Sequence, residues 1–229
     1  MKKLLHSLLT TGFVLSFALT AVLGWHIFDA AGANYTWDNG GGDGLWSTCT
    51  NWSSNICPGA SDTAIFNPAT SNTSSTIDPG FTGSVLGISM LTGFTGTITQ
   101  SRSLTVGGND LTVTGGTFAG GSADIDINGI LAITGGDFTS TSGTLFISED
   151  LIHTSGTFTH NSGTVTMDSA ASNSQIDVPT TATYNNLNVN LGGDSIGLYN
   201  FDSDVIIVVG TLTLTNGNIN TTLTVDARG

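Results

Sequence analysis

Positive charge is nearly missing from this sequence. Four Lys and Arg stand against 17 Asp and Glu in 229 residues, a formal net charge of −13. Lys2 and Lys3 sit at the N-terminus, leaving Arg102 and Arg228 for everything else. A surface so poor in cations cannot neutralise phosphates, which excludes nucleic acid as a partner and anionic lipid headgroups with it. Charge of either sign is scarce at 9%. The chain does not read as disordered, because Val, Ile, Leu, Phe and Thr recur in regular alternation. Helical periodicity is absent beyond the N-terminal segment. There are two cysteines, Cys49 and Cys57, with no His beside them. Two ligands do not make a zinc site, and an exported pair at this short spacing reads as a structural disulfide rather than a catalytic thiol.

The N-terminus reads as an export signal over residues 1–33. Lys2 and Lys3 form its positive region, LLTTGFVLSFALTAVLGW its apolar stretch, and Ala31-Gly32-Ala33 a small-residue cleavage site before Asn34. The competing reading is an uncleaved anchor, since the apolar stretch is near membrane-spanning length. Membrane contact is then confined to this segment. Both readings place the bulk of the protein outside the cytoplasm, secreted or at the cell surface.

What the sequence has in abundance is repetition. LTVTGGTF (111–118), LAITGGDF (131–138) and LIHTSGTF (151–158) open three blocks that align without a gap. Leu111, Leu131 and Leu151 coincide, as do Gly116, Gly136 and Gly156, and Phe118, Phe138 and Phe158. Later in each block Ile125, Leu145 and Val165 coincide, followed by Ile127, Ile147 and Met167. Each block holds two short alternating runs, one face buried and one wet, too short for helices and rich in β-branched residues. A short fixed period of strands without helices predicts an all-β fold, a single-stranded parallel β-helix (β-solenoid) with coils of about 20 residues. Equivalent residues then stack about 4.8 Å apart. Phe118, Phe138 and Phe158 are expected to form an internal ladder, with the glycines at corners.

The pattern extends less cleanly in both directions. GTITQSRSLTVGG (96–108) reads as a coil one residue shorter. LTLTNGNI (212–219) echoes LTVTGGTF, aligning Leu212, Gly217 and Ile219, and LTV (223–225) follows it. ATYNNLNVNLGG (182–193) and DVIIVVG (204–210) supply further strands, with VIIVV expected to be buried on both faces. Residues 68–229 are then predicted to make about eight coils in a rod roughly 40 Å long. Asp226-Ala227-Arg228-Gly229 has no capping character, so further coils or a partner are expected at that end.

Residues 34–67 differ. They hold both cysteines and Trp37, Trp46 and Trp52. The order Trp37-Asp38, a Gly run, Trp46, Asn51-Trp52, Pro58-Gly59, Asp62, Ala64 and Phe66 resembles the opening module of bacterial secreted β-helix surface proteins. These include proteins with autotransporter-associated β-strand repeats and filamentous haemagglutinin-like passengers. GTFTHNSGTVTM and TYNNLNVN resemble the repeats of such proteins. The resemblance implies an exported passenger region and supplies no catalytic residues. In physical terms 34–67 works as an N-terminal cap, its aromatics covering the first coil and its disulfide holding a small loop. A rival reading makes the three tryptophans a sugar-stacking platform.

Four chemistries compete with a purely structural role. Asp124 and Asp126 flank Ile125, both outward and about 7 Å apart, a separation that suits an inverting hydrolase. The equivalent positions on later coils, Thr144, Phe146, Thr164 and Thr166, predict no acidic cleft around them. Asp137 lies on the next coil's first run, and Glu149-Asp150 read as a solvated corner. Asp38 and Asp43 in the Gly-rich loop would suit Ca²⁺, without the spacing of a known calcium loop. His153 replaces Val113 and Ile133 at an inward position and His160 lies at a turn; each reads as a locally hydrogen-bonded imidazole. Thr-rich runs at 111–114, 164–166 and 211–215 would suit an ice-binding array if they shared one face.

The sequence therefore predicts a non-enzymatic exported solenoid, a structural or adhesive element that needs no cofactor beyond a possible Ca²⁺ at Asp38 and Asp43. Its expected partners are itself, other envelope proteins or polysaccharide. The main alternative is a carbohydrate-active β-helix that binds or cleaves a polysaccharide.

Overall fold

In the computed structural model the described residues are 32–170, 174–178, 181–192, 197–198, 205–216, 218–219 and 224–227. The export segment lies outside them. The chain is an all-β parallel solenoid of about six turns, with coils of about 21 residues. Every strand pairing is parallel.

Each coil contributes to three strips of strands rather than to two. The first strip runs Asn34–Thr36, Thr63–Phe66, Gly87–Met90, Leu111–Val113, then the starts of Leu131–Thr139 and Leu151–Thr159. The second runs Ser75–Ile77, Thr97–Gln100, Thr117–Ala119, then the ends of the same two long strands. These strips form one sheet because the long strands pass through both. The third strip is a separate sheet: Ser84–Val85, Leu104–Val106, Ile125–Ile127, Thr144–Ile147, Thr164–Met167, Asn186–Asn190 and Leu212–Asn216. The phrase LTVTGGTF thus bends in the middle. At Gly116 φ is +66°, and a Cβ there would stand 2.6 Å from the Gly96 carbonyl oxygen and from the Phe94 ring. Only glycine meets both conditions.

The predicted register holds where the repeat is clearest. Leu111, Leu131 and Leu151 stack, as do Ile125, Leu145 and Val165. Phe118 and Phe138 stack at 5.2 Å, Phe138 and Phe158 at 6.0 Å, with 15° between planes in both pairs. Tyr184 continues the ladder 5.3 Å from Phe158, and burial pushes its phenol above the ordinary range. The coil before the clear repeats is one residue shorter where expected: Thr97 pairs 20 residues on with Thr117, but Leu104 pairs 21 residues on with Ile125.

Four expectations need correction. The turns number about six, not eight, because later coils are longer: Leu151 pairs with Ile176 and Leu187 with Leu212, each 25 residues on. Leu212 lies in the third strip against Leu187, not in the Leu111 row. Alternating Leu and Thr suits any strip, so likeness of phrase did not decide the face. Gly217 lies outside the described residues. Val205–Val208 alternates half-buried and buried, and Val209 is 39% exposed, so this strand is not buried on both faces. Finally, 34–67 is not separate from the coils, because Asn34–Thr36 and Thr63–Phe66 are the first two strands of the first strip.

Candidate functional site

The predicted cap is built from buried aromatics. Trp37, Trp46 and Trp52 are all 0% exposed. Trp52 meets Trp37 and Trp46 edge-on, at 5.0 and 5.1 Å. Phe66, on the second strand, lies stacked beneath Trp37 and Trp46. Each indole N–H finds an acceptor: Thr73 Oγ1, Ser75 Oγ and the Trp46 carbonyl oxygen respectively. Rings that are fully buried and fully hydrogen-bonded offer no face to a sugar, so the stacking-platform reading falls. Cys49 and Cys57 are disulfide-bonded across two short 3₁₀ turns, Cys49–Asn51 and Ser53–Asn55.

Asp38 and Asp43 serve the same loop. The Asp43 carboxylate accepts from the Leu45 N–H, the Thr48 hydroxyl and Asn51 Nδ2, and these bonds hold it below the ordinary carboxylate range. Asp38 accepts from the Gly40 N–H. The Asp43 acceptors are already used within the loop, which removes the argument for Ca²⁺. Among the described residues no group of three or more His, Cys, Asp and Glu is placed to hold a metal. The hubs that the sequence did not reveal are Asn51 and Asp78. Asn51 is fully buried and bonds Asp43, the Leu45 carbonyl and the Gly41 N–H. Asp78, on the first coil, accepts from the Ser47 N–H and hydroxyl and from the Gly80 N–H. Burial pushes Asp78 up, yet those bonds together outweigh it and hold the carboxyl down.

The histidines behave as local groups. His153 pairs with Ile133, is 7% exposed and bonds the Gly156 carbonyl through Nε2 at 3.1 Å. His160 Nδ1 accepts from the Ser162 N–H. Asp150 is half-buried, not a solvated corner; it accepts from the Gln175 N–H, while burial raises it. The Thr-rich runs lie on different strips, 111–114 on the first and 164–166 and 211–215 on the third, where Asn186 and Asn188 interrupt them. They do not form one array. A longer threonine file exists on the second strip, but Asp137 and Ala119 break it.

The outer face of the third strip holds the one assembly of unlike functional groups that stands out. Asp124 and Asp126 share an open groove of about 380 Å³ with Ser103, Leu104, Thr105, Phe146 and Asp168. In register, Asp126 lies between Thr105 and Phe146, and Phe146 lies between Asp126 and Thr166. Phe146 is therefore a half-buried aromatic in an outward row of polar side chains. Asp124 Oδ1 accepts from the Thr144 N–H, one coil on. Burial first, and Asp168 second, push Asp126 above the ordinary carboxylate range, against a bond from Asn128. Asp168 takes a bond from the Ser148 hydroxyl at 3.1 Å. The expectation of no acidic surroundings is thus corrected. Asp168 comes from two coils on and two residues further along the strand, off the row that alignment compares.

On the same face, further along the stack, Thr164, Asn186, Leu187, Asn188, Thr211 and Thr213 line a second groove of about 260 Å³. No protein-family model, curated protein or solved structure matches this chain, so its function is argued from the residues themselves.

Proposed function

We propose that this protein is a rigid, non-enzymatic element of the cell exterior, a solenoid that serves adhesion or matrix assembly. The observation that carries this reading is the unbroken buried stack from the Trp cap through the Phe ladder to Tyr184. It makes a stiff rod whose outer rows are free to vary. The export-type N-terminus, the disulfide and the resemblance to autotransporter-associated and filamentous haemagglutinin-like passengers support a site outside the cytoplasm. The test is antibody labelling of intact producing cells, together with attachment of cells lacking the gene. Labelling without permeabilisation and reduced attachment are expected; labelling only after permeabilisation would refute the reading.

A second reading, cleavage of a polysaccharide, is favoured by one observation. Asp126 is raised beside Asp124 in one groove, and two carboxyls one strand step apart suit an inverting hydrolase with Asp126 as the acid. The structural reading is preferred because Asp124 already takes a backbone hydrogen bond that ties it into the coil.

A further inference from the structure

The two grooves on the outer face of the third strip lie in line along the solenoid axis. They span the strands from Leu104–Val106 to Leu212–Asn216, six strands or about 24 Å at the usual strand spacing. The sheet's backbone groups are already used in its parallel ladder, so this face offers side chains alone. A peptide adding as a strand finds no free edge there. A chain that presents hydroxyls finds amides and hydroxyls in register on successive coils: Thr164 with Asn186, then Thr166, Asn188 and Thr213.

The acidic end of the face selects the ligand's charge. Phe146 presents a half-exposed ring between Asp126 and Thr166, with Asp124 and Asp168 in the same groove. The only Lys or Arg among the described residues, Arg102, turns its guanidinium to the carbonyl oxygens of Pro79, Phe81 and Ser103. It does not offset these carboxylates. A polyuronide or phosphorylated glycan would meet three carboxylates with like charge. An ammonium group over an aromatic ring and between carboxylates gains from both.

We propose that this face is a binding track for a polysaccharide bearing free amino groups, with Phe146 under a sugar ring and Asp124, Asp126 and Asp168 receiving its ammonium and hydroxyl hydrogens. The neutral amide and hydroxyl rows carry the rest of the chain. This rests on the adhesive reading above and names its ligand class. The charge excess of the whole protein favours the encounter, and salt weakens it.

The experiment is calorimetric titration of the purified protein with a glucosamine hexamer and with its fully N-acetylated counterpart, at fixed ionic strength. Binding of the free-amine form is expected, with the acetylated form roughly tenfold weaker or more, the size of one desolvated cation–π contact. Phe146→Thr puts the residue of the neighbouring coil at that place, and Asp126→Asn keeps the side chain's shape. Each is expected to weaken binding about tenfold with the thermal transition retained. Asn188→Ala, at the neutral end, tests the track and is expected to weaken the hexamer without changing affinity for a glucosamine dimer. No binding of the free-amine hexamer, equal binding of the acetylated form, or indifference to both groove substitutions would overturn the proposal. None of those results touches the exported scaffold itself, which stands or falls on the labelling of intact cells.

Discussion

The cap and the coils solve one problem with different chemistry. In the coils a hydrogen bond or contact in one turn has its counterpart in the next: Leu on Leu, Phe on Phe, carbonyl to N–H. Around Trp46 no two contacts are alike. Three indoles bond three different acceptors, Asp43 and Asp78 gather unrelated donors, and a disulfide closes the loop. A repeated interior can lose one contact and keep its neighbours, since stability is close to a sum of nearest-neighbour terms. A closing element has no neighbour on its outer side and depends on each specific contact. The difference teaches that the cap carries the less replaceable share of the fold.

The largest effect should therefore come from the cap. Trp46→Ala removes a fully buried ring that touches Trp52, Phe66 and Phe81. It should cost about 3–5 kcal/mol, read as a lower denaturant midpoint, and amide exchange should rise through the first coils. Next, replacing Cys49 and Cys57 together by Ser should cost about 2.5 kcal/mol, the chain-entropy value for a loop of this length. Equal stability of the oxidised and reduced protein would contradict it. In the coils, Phe138→Leu keeps the volume nearly filled but breaks ring stacking on both sides. About 1–2 kcal/mol is expected, with faster exchange confined to adjacent turns. If that substitution unfolds the whole stack as Trp46→Ala does, the contrast between cap and coils is lost.

The smallest effect is one of pH, and its sign differs between the two regions. Asp43 and Asp78 in and under the cap are held below their ordinary value of 3.8, so they stabilise above that value and cease to as pH falls through their folded pKa. Asp126 and Asp150 on the coils are raised above 3.8, so the folded state takes up their protons first. Acidification from neutral through that raised range should slightly increase stability, until the cap carboxyls titrate below 3.8. Asp126→Asn should flatten part of the rise; a steady loss of stability from neutral downward would contradict the assignment.

The repeat made the coils legible before the structure. Alternation located strands, and the recurring Leu, Gly and Phe placed inward rows correctly from 111 to 167. The short spacing of Cys49 and Cys57 was sufficient for the disulfide. Legibility failed where one pattern serves several places. L-T-L-T at 212–215 fits any strip, and longer coils after residue 170 shifted the count of turns. The groove escaped for a geometric reason. Alignment compares positions down a row, whereas Asp126 and Asp168 meet across rows through the pleat and two strand spacings. Phe146 was visible only as an odd residue in its column. Asn51 and Asp78 carried no repeated signal at all, because the cap occurs once.

The most direct test of the structural and adhesive reading is incubation of the purified protein with a panel of polysaccharides, with co-sedimentation and newly formed chain ends measured on the same samples. The account predicts retention on a polysaccharide with no release of reducing or unsaturated ends. Release of ends, abolished by Asp126→Asn, would contradict it and make the groove a catalytic site.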